Sequence, residues 1–342
     1  MTTPSTGMQS VVAGVVAGCV TRSCTSPLDV LKIIIQVNGT SPAFQQHVAV
    51  PSVALRAPST ARRASFSRAA AVTAPSAMVR TVRELYSMDG ARAFWRGNIA
   101  GCCRLGPYAG AKFFLFDTLQ TRFLDENPSN VQRAMCGATA GLFATMGTYP
   151  LEIVRTRMIT QTPKNTPPHM HIRGVAHGIK LILRHEGIRG LYKGGWSGIV
   201  GAIPFEGVQF GCYEYLKFTS QQHQWPTFRW PEGKQELDGV DFFVCGSIAG
   251  AIAQTVAYPF DTVKKRLQTQ VIVDAALHVQ TPTAGTKYYR GMCDCFQKVI
   301  RDEGLMALYR GTVPNLARIV PYAAVMFSTY EMTKKSLRLL CS

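Results

Sequence analysis

Long apolar segments recur along the chain, and their spacing predicts six long helices. The first is expected over 11–37, where a run of small apolar residues precedes Arg22, the first charge. Three more are predicted at 99–119, 196–216 and 312–333. Two others surround Pro150 and Pro259. Shorter amphipathic stretches predict three surface helices at 78–88, 175–185 and 292–302, so we expect an all-α fold.

Three polar stretches interrupt this pattern. Residues 38–77 hold Pro, Ala, Ser, Thr and Arg without a helical stripe, which predicts a polar insert or a flexible loop. Residues 221–237 carry Trp225 and Trp230 beside prolines and are expected at a membrane interface. Residues 271–287 form another loop, which lengthens the last third of the chain.

A hexapeptide of the form Pro-x-acid-x-x-base occurs three times. It begins at Pro27, Pro150 and Pro259. An acid followed by Gly then leads to an aromatic-base-Gly turn at 89–97, 186–194 and 303–311. A GxxxG spacing, which lets a neighbouring helix approach closely, precedes each proline at 14–18, 137–141 and 246–250. This order indicates a tandem triplicate with repeats at 8–122, 130–219 and 239–338, none of which is expected to stand alone.

The hexapeptide and the aromatic-base-Gly turn, three times in register, resemble the mitochondrial carrier family over nearly the whole chain. The resemblance implies an all-α membrane protein with six transmembrane helices in three tandem repeats. It also implies pseudo-threefold symmetry, three short surface helices on the matrix side, and a multi-pass location in the mitochondrial inner membrane. Of the six long helices, numbered one to six in chain order, the odd-numbered ones each contain the proline of a hexapeptide. This proline removes a backbone hydrogen bond and bends the helix axis, so three bent helices can converge below a cavity.

Composition is compatible with this fold and narrows the range of expected binding partners. The chain has 342 residues, 46% hydrophobic and 17% charged, with a mean hydropathy of +0.05. Neutral hydropathy argues at first against a polytopic membrane protein, but helices around a wet polar cavity need apolar residues on their outer faces only. The net charge of +17 suits an anionic partner, which could be nucleic acid, anionic lipid or a phosphorylated solute.

Enzymatic and metal chemistry find no support among the motifs. The ten cysteines are scattered without the paired CxxC or CxxC and HxxxH spacing of a zinc site, and without a disulfide framework. No nucleophile elbow, P-loop or GxGxxG after a strand is present in the sequence. We therefore expect no enzymatic activity, no cofactor and no bound metal.

Acidic and basic side chains inside spanning helices need partners of opposite charge, because an unpaired charge in a membrane is costly unless it lines water. In each hexapeptide the acid and the base lie three residues apart and so share a helical face. The family resemblance implies that each acid bonds the base of a neighbouring repeat and closes a gate on the matrix side. These gate residues are Asp29, Lys32, Glu152, Arg155, Asp261 and Lys264. Gln36 and Gln268 resemble braces below the ring, and Ile159 holds the equivalent place in repeat two.

The family pattern aromatic-acid-x-x-base recurs near the ends of the even-numbered helices and implies a second gate on the cytosolic side. Its residues are Asp117, Gln120, Glu214, Lys217, Glu331 and Lys334. We expect Asp117 to pair with Lys217, and Glu214 to pair with Lys334. Because Gln120 replaces a base, Glu331 meets a weaker neutral donor there, and this gate is predicted to be the looser one. Alternatively, these charges only end helices at the interface.

Substrate contacts in this family lie on the even-numbered helices, in register with the aromatic-base-Gly turn. The resemblance and the charge pattern indicate Arg22, Arg104, Lys112, Gly201, Ala202, Glu206 and Arg318. Arginine offers a bidentate fork to phosphate oxygens, and Gly201 is expected to leave room for a flat ring. Arg104 and Arg318 could instead pair structurally with Glu206 or with carbonyls. Lys112 and Glu206 could also reach the interface from a helix end.

Local resemblances point to more than one solute. Residues 21–33, 264–268 and 291–296 resemble mitochondrial thiamine pyrophosphate carriers, whereas residues 104–109 resemble coenzyme A and adenine nucleotide carriers. We expect exchange of a phosphorylated, nucleotide-like cofactor by alternating access, with thiamine pyrophosphate as the first expectation and coenzyme A or an adenine nucleotide as the alternative. If the solute is thiamine pyrophosphate, Arg104 and Arg318 would bind its diphosphate, and Glu206 would bind its cationic part.

Two other classes compete with a carrier. A soluble helical-repeat binding protein is possible because three helix pairs could stack as a solenoid. A nucleic-acid binder would cluster its bases on one face with stacking aromatics, yet many bases here belong to the repeat registers. The expected partners are therefore a small phosphorylated anion and membrane lipid, cardiolipin above all, without nucleic acid. The expected oligomeric state is a monomer.

Overall fold

The computed structural model describes residues 4–37, 74–123, 130–161, 171–222, 239–270 and 289–340. These residues form α-helices and two short 3₁₀ helices, and no strand occurs among them. The α-helices are α1 (Pro4–Val37), α2 (Ala74–Asp89), α3 (Asn98–Phe123), α4 (Asn130–Thr160), α5 (Val175–Leu191), α6 (Gly195–Gln222), α7 (Gly239–Thr269), α8 (Met292–Glu303) and α9 (Thr312–Leu340). The 3₁₀ helices are Gly90–Trp95 and Leu305–Tyr309.

The predicted helices are present, with shifts at their ends. Helix α2 begins at Ala74 rather than Met78, so the end of the expected insert 38–77 is helical. Helix α5 runs past its predicted end at His185, but Gly187 has φ 67° and ψ −167°, which breaks the helical direction there. The rest of the insert, most of the loop 221–237 and the loop 271–287 lie outside the described residues.

Helices of neighbouring repeats pack against one another more extensively than helices of the same repeat. Helix α3 packs on α4, α6 packs on α7, and α9 packs back on α1, which closes the bundle into a ring. Helices α1, α4 and α7 also meet one another. We call the three regions where repeats meet seam 1/2, seam 2/3 and seam 3/1. The ring has the threefold pattern of contacts that the repeats predict.

Glycines of the aromatic-base-Gly turn allow these seams to close. Gly97, Gly194 and Gly311 all have positive φ, between 70° and 89°, where a residue with a side chain is strained. A methyl group at Gly97 would lie 3.1 Å from the carbonyl oxygen of Arg155, in the next repeat. The same relationship joins Gly194 to Lys264 and Gly311 to Lys32. Each turn therefore lies directly against the backbone of a gate base.

Three buried apolar clusters attach the surface helices to the long helices. One cluster joins Val263 and Leu267 of α7 to Cys295 and Val299 of α8. A second joins Ile153 and Val154 of α4 to residues of the α5 region. The third is made by Val30, Ile33, Ile34, Leu85, Ala93 and Ile159, and it reaches across seam 1/2 because Ile159 belongs to repeat two.

Large apolar side chains are exposed along the long helices. Ile99 is 74% exposed, Phe113 is 73% exposed, and Ile203 and Val320 are each 71% exposed. Within the described ranges, no helix combines the length and the apolarity that crossing a membrane requires. Six membrane spans therefore stay a prediction.

Candidate functional site

The three hexapeptides meet as a ring of ion pairs between repeats. Arg155 Nη2 lies 2.9 Å from Asp29 Oδ2, across seam 1/2. Lys264 Nζ lies 2.7 Å from Glu152 Oε1, across seam 2/3. Lys32 Nζ lies 2.7 Å from Asp261 Oδ2, across seam 3/1. The structure thus brings together all six residues of the expected matrix gate, each acid with the base of the following repeat.

The two expected braces differ in what they contact. Gln268 is fully buried, and its Nε2 donates to Tyr149 Oη at 2.9 Å and to Glu152 Oε1 at 3.3 Å. Gln36 is also fully buried, but its Nε2 reaches Thr262 Oγ1 at 3.5 Å, and its Oε1 has no partner among the described residues. Gln268 therefore hydrogen-bonds a carboxylate of the ring directly, whereas Gln36 makes no hydrogen bond to a ring carboxylate among the described residues.

Lys265 is an additional cation of the ring, which the hexapeptide pattern alone did not indicate. Its Nζ donates to Glu152 Oε1 at 3.1 Å, to Thr156 Oγ1 at 3.3 Å and to Gln268 Oε1 at 3.0 Å. All three ammonium protons can be used in this way, which compensates for burial of the charge. Glu152 thus accepts from both Lys264 and Lys265 across seam 2/3.

The two arginines expected to bind substrate also contact the gate acids. Arg104 Nη2 lies 3.3 Å from Glu152 Oε2, and its Nε donates to Thr148 Oγ1 at 3.3 Å. Arg318 Nη1 lies 2.9 Å from Asp29 Oδ1. Each guanidinium also lies over a tyrosine ring of its own helix, Arg104 over Tyr108 and Arg318 over Tyr322. The alternative of structural pairing is therefore realised in this conformation, but with gate acids rather than with Glu206.

Arg22 lies next to this cluster on α1. Its Nε is buried without a hydrogen-bond partner among the described residues, as are Arg155 Nε and Arg318 Nε. A methyl group at Gly101 would collide with the Arg22 guanidinium, so Gly101 makes the space for it. A buried N–H group without a partner is costly, and each of these three groups could donate to an anion.

A cavity of about 210 Å³ lies between α6 and α7, beside the ring. Gly201, Ala202, Gln254, Asp261 and Lys264 are among its lining residues. A methyl group at Gly201 would lie 2.6 Å from Phe260 Cβ, so the packing of α6 on α7 requires a glycine there, and room for a flat ring at Gly201 stays a prediction. The absent side chain lets α6 and α7 approach closely.

Lys112 and Glu206 lie outside this cluster of charges. Both residues are exposed, and neither forms an ion pair among the described residues. The Cε atom of Lys112 lies 4.0 Å from the position that a Cβ of Gly141 would take. Their predicted contacts with substrate are therefore not supported by any contact in this conformation.

The expected cytosolic gate is not assembled in this conformation. Asp117, Glu214 and Glu331 are exposed, and within the described ranges none of them forms an ion pair. Lys334 lies over the ring of Tyr330, four residues earlier on its own helix, at 5.6 Å. Gln120 is half-buried and makes no hydrogen bond to Glu331. The structure thus combines a closed ring of ion pairs at one end with three acids at the other that form no ion pair among the described residues.

Two buried arginine forks tie the surface helices to the long helices, and neither was predicted. Arg157 donates from Nη1 and Nη2 to the two carboxylate oxygens of Glu186, at 2.5 and 2.9 Å. Arg266 bonds Glu303 in the same way, at 2.7 and 2.9 Å. Both arginines follow the repeat proline by seven residues, and both acids begin the acid-Gly element. This shared register was the signal that could have found them.

Seams 1/2 and 2/3 differ in chemistry below the ring. Seam 2/3 holds Lys265, Thr156, Gln268 and the fork of Arg157, whose Nε also donates to the Gln268 carbonyl at 3.0 Å. Repeat one has Ile33 and Ile34 where repeat three has Lys265 and Arg266, and they pack against Ile159. Below the ring, seam 1/2 is therefore closed by an apolar cluster together with a bond from Arg96 to the Gln161 carbonyl, whereas seam 2/3 is closed by polar bonds.

The family model for mitochondrial carrier proteins matches this chain three times in succession, at residues 3–127, 126–224 and 236–339. The chain belongs to the mitochondrial carrier family. This carrier is 33% identical to a mitochondrial adenine nucleotide transporter of Arabidopsis thaliana, over 96% of its own length and 87% of that protein. It is 35% identical to solute carrier family 25 member 43 of Danio rerio, over 72% and 67% of the two chains. It is 28% identical to a mitochondrial thiamine diphosphate carrier of Arabidopsis thaliana, over 94% and 91%.

Proposed function

We propose that this carrier exchanges adenine nucleotides across the mitochondrial inner membrane by alternating access. The observation that carries the proposal is the excess of positive charge at the ring. Seven cations surround the three ring carboxylates, namely Arg22, Lys32, Arg104, Arg155, Lys264, Lys265 and Arg318. The net excess of four positive charges suits a solute with several negative charges in a confined aqueous site.

The unpartnered guanidinium groups indicate the kind of anion. Arg22, Arg155 and Arg318 each keep a buried Nε–H without a partner among the described residues. Guanidinium groups match the geometry of phosphate oxygens, and several phosphate oxygens could satisfy donors from different repeats at once. A di- or triphosphate therefore suits the site better than a monocarboxylate, which has only two oxygens.

Charge and relatedness favour an adenine nucleotide over thiamine pyrophosphate. Thiamine pyrophosphate carries a ring cation beside its diphosphate, and Glu206, the acid expected to meet that cation, is exposed and forms no ion pair among the described residues. Several relatives carry adenine nucleotide or ATP in their names, at 27% to 33% identity. The thiamine diphosphate carrier at 28% identity keeps thiamine pyrophosphate as the second candidate.

Alternating access follows from the two ends of the bundle. We infer that the ring is the matrix gate and that the separated acids Asp117, Glu214 and Glu331 belong to the cytosolic gate. The described conformation would then be open to the cytosol and closed to the matrix. A phosphate that takes donors from the ring weakens it, and formation of the other gate offsets that loss.

A membrane location is supported by the family and by the surfaces of the long helices. Helices α1, α3, α4, α6, α7 and α9 have 26 to 34 residues, and about 20 residues of helix span a bilayer core. The exposed apolar side chains on these helices would face lipid. We propose that these six helices are the spans and that α2, α5 and α8 lie on the matrix side.

The test is exchange in liposomes that contain the purified protein. Liposomes loaded with ADP are assayed for uptake of labelled ADP, ATP, coenzyme A and thiamine pyrophosphate. We expect uptake of ADP and ATP, and a loss of roughly tenfold or more in Arg104→Gln and Arg318→Gln, because each change removes charged hydrogen bonds to phosphate. Arg184→Gln, at an exposed site on α5, is the matched control. Uptake of thiamine pyrophosphate alone, lost in Glu206→Gln, would establish the second candidate instead.

A further inference from the structure

Each repeat contains an acid and base link on the face that carries the surface helices. Asp89 pairs with Arg96, Glu186 lies 3.8 Å from Lys193, and Glu303 lies 2.8 Å from Arg310. Each base is the central residue of an aromatic-base-Gly turn. In repeats one and two, the base also reaches the end of the first long helix of the next repeat, α4 or α7. Arg96 Nη1 donates to the Gln161 carbonyl at 3.0 Å, and Lys193 Nζ donates to the Gln270 carbonyl at 2.9 Å.

Repeat two uses a lysine at the position where repeats one and three use arginine. A guanidinium keeps its proton at every accessible pH, whereas an ammonium can lose it. The Lys193 side chain is 17% exposed, between Glu186 of α5, Arg157 of α4 and the carbonyl end of α7. The pKa of Lys193 is lowered from 10.5 to about 8, because burial, the largest cause, and the charge of Arg157 together outweigh the opposing effect of Glu186.

We propose that Lys193 is a pH-sensitive tie between repeats two and three, and that its loss of a proton favours the closed matrix gate. The inference rests on the proposed exchange mechanism and adds a regulator to it. Lys193 bridges seam 2/3 from within the turn whose Gly194 lies against Lys264, a base of the proposed gate. Opening of the gate along this seam would separate Lys193 from Gln270 and return the ammonium to water.

The direction of the effect follows from proton linkage. In water, Lys193 would regain its ordinary pKa of 10.5, while in the closed seam the pKa is about 8. The open state therefore binds more protons than the closed state between these two values, and rising pH favours the closed state. With these values, the ratio of closed to open carrier rises roughly tenfold between pH 7 and pH 9. The neutral amine can still donate a hydrogen bond to the Gln270 carbonyl.

The decisive experiment compares Lys193→Arg with the unaltered carrier. Exchange of labelled ADP is measured in liposomes at pH 7 and pH 9, with the same pH on both sides. Between pH 7 and pH 9, we expect the exchange rate of the unaltered carrier to fall roughly tenfold relative to that of Lys193→Arg, because arginine retains its charge. Lys298→Arg makes the same chemical change in an exposed ion pair on α8 and should follow the unaltered carrier. If the exchange rates of Lys193→Arg and the unaltered carrier fall equally between pH 7 and pH 9, the proposed role of Lys193 is wrong.

A second measurement separates this inference from the transport proposal. The unfolded chain also has the ordinary lysine pKa, so the unaltered carrier should gain thermal stability relative to Lys193→Arg as pH rises from 8 to 10. If no variant exchanges any solute but this difference appears, the transport proposal fails and the buried tie stands. If exchange occurs and neither rate nor stability distinguishes Lys193→Arg, the tie fails and the transport proposal stands.

Discussion

Gly194 of repeat two lies directly against the carbonyl oxygen of Lys264 in repeat three. A methyl group at Gly194 would come within 2.9 Å of that oxygen, and the backbone there has a φ of 78°. The contact joins the aromatic-base-Gly turn of one repeat to the gate base of the next. Both sequence elements are therefore parts of one seam, which explains why they recur in step.

Gly194→Ala is predicted to destabilise the carrier. The change adds both a steric conflict with a backbone atom and a positive-φ penalty, and we expect a loss of about 1–3 kcal/mol. Thermal unfolding of the purified protein measures it. Gly195→Ala is the matched control, because a methyl group there meets Tyr149 only at 3.7 Å or more and its φ is not positive. Equal unfolding temperatures for the two variants would contradict the close seam.

A charge swap should work better in seam 3/1 than in seam 1/2. Lys32 and Asp261 pair with each other, so Lys32→Asp combined with Asp261→Lys keeps one bond of the same kind. Asp29 also accepts from Arg318, so exchanging Asp29 with Arg155 would place a guanidinium against Arg318. We expect recovery of exchange in liposomes for the first double variant and little recovery for the second. Similar recovery in both would show that Arg318 does not contact Asp29 during transport.

The ring could be predicted from sequence because its members recur in register, and register survives any conformation. The repeat pattern marked Asp29, Glu152 and Asp261, the family resemblance implied their pairing with bases of neighbouring repeats, and the structure shows these pairs. The contacts of Arg104 and Arg318 with acids of the ring could not be predicted in this way, because the family resemblance assigned both arginines to substrate rather than to the ring. Lys265 was missed because its position is Ile33 in repeat one and Thr156 in repeat two, so no repeat pattern marks it.

Ile159→Gln is predicted to weaken the carrier although it restores the pattern of the other repeats. Ile159 is buried with Ile33, Ile34 and Ala93 in the apolar cluster of seam 1/2. An amide without hydrogen-bond partners costs about 1–3 kcal/mol there. Thermal unfolding should therefore show a lower midpoint for Ile159→Gln than for the control Ile159→Leu, which keeps the apolar contact. A higher midpoint for the glutamine variant would mean that a brace can form without the partners seen in seam 2/3.

Cys293 and Cys295 of α8 are predicted to differ in reactivity, although one residue separates them. Cys293 is exposed, whereas Cys295 is fully buried in the cluster with Val263 and Val299. Burial raises the pKa of the Cys295 thiol to about 12, so its reactive thiolate is scarce at neutral pH. Brief treatment of the folded protein with N-ethylmaleimide at pH 7, followed by peptide mass spectrometry, should find the label on Cys293 and not on Cys295. Rapid labelling of Cys295 in the folded protein would show that α8 separates from α7, and labelling of both thiols after denaturation is the control.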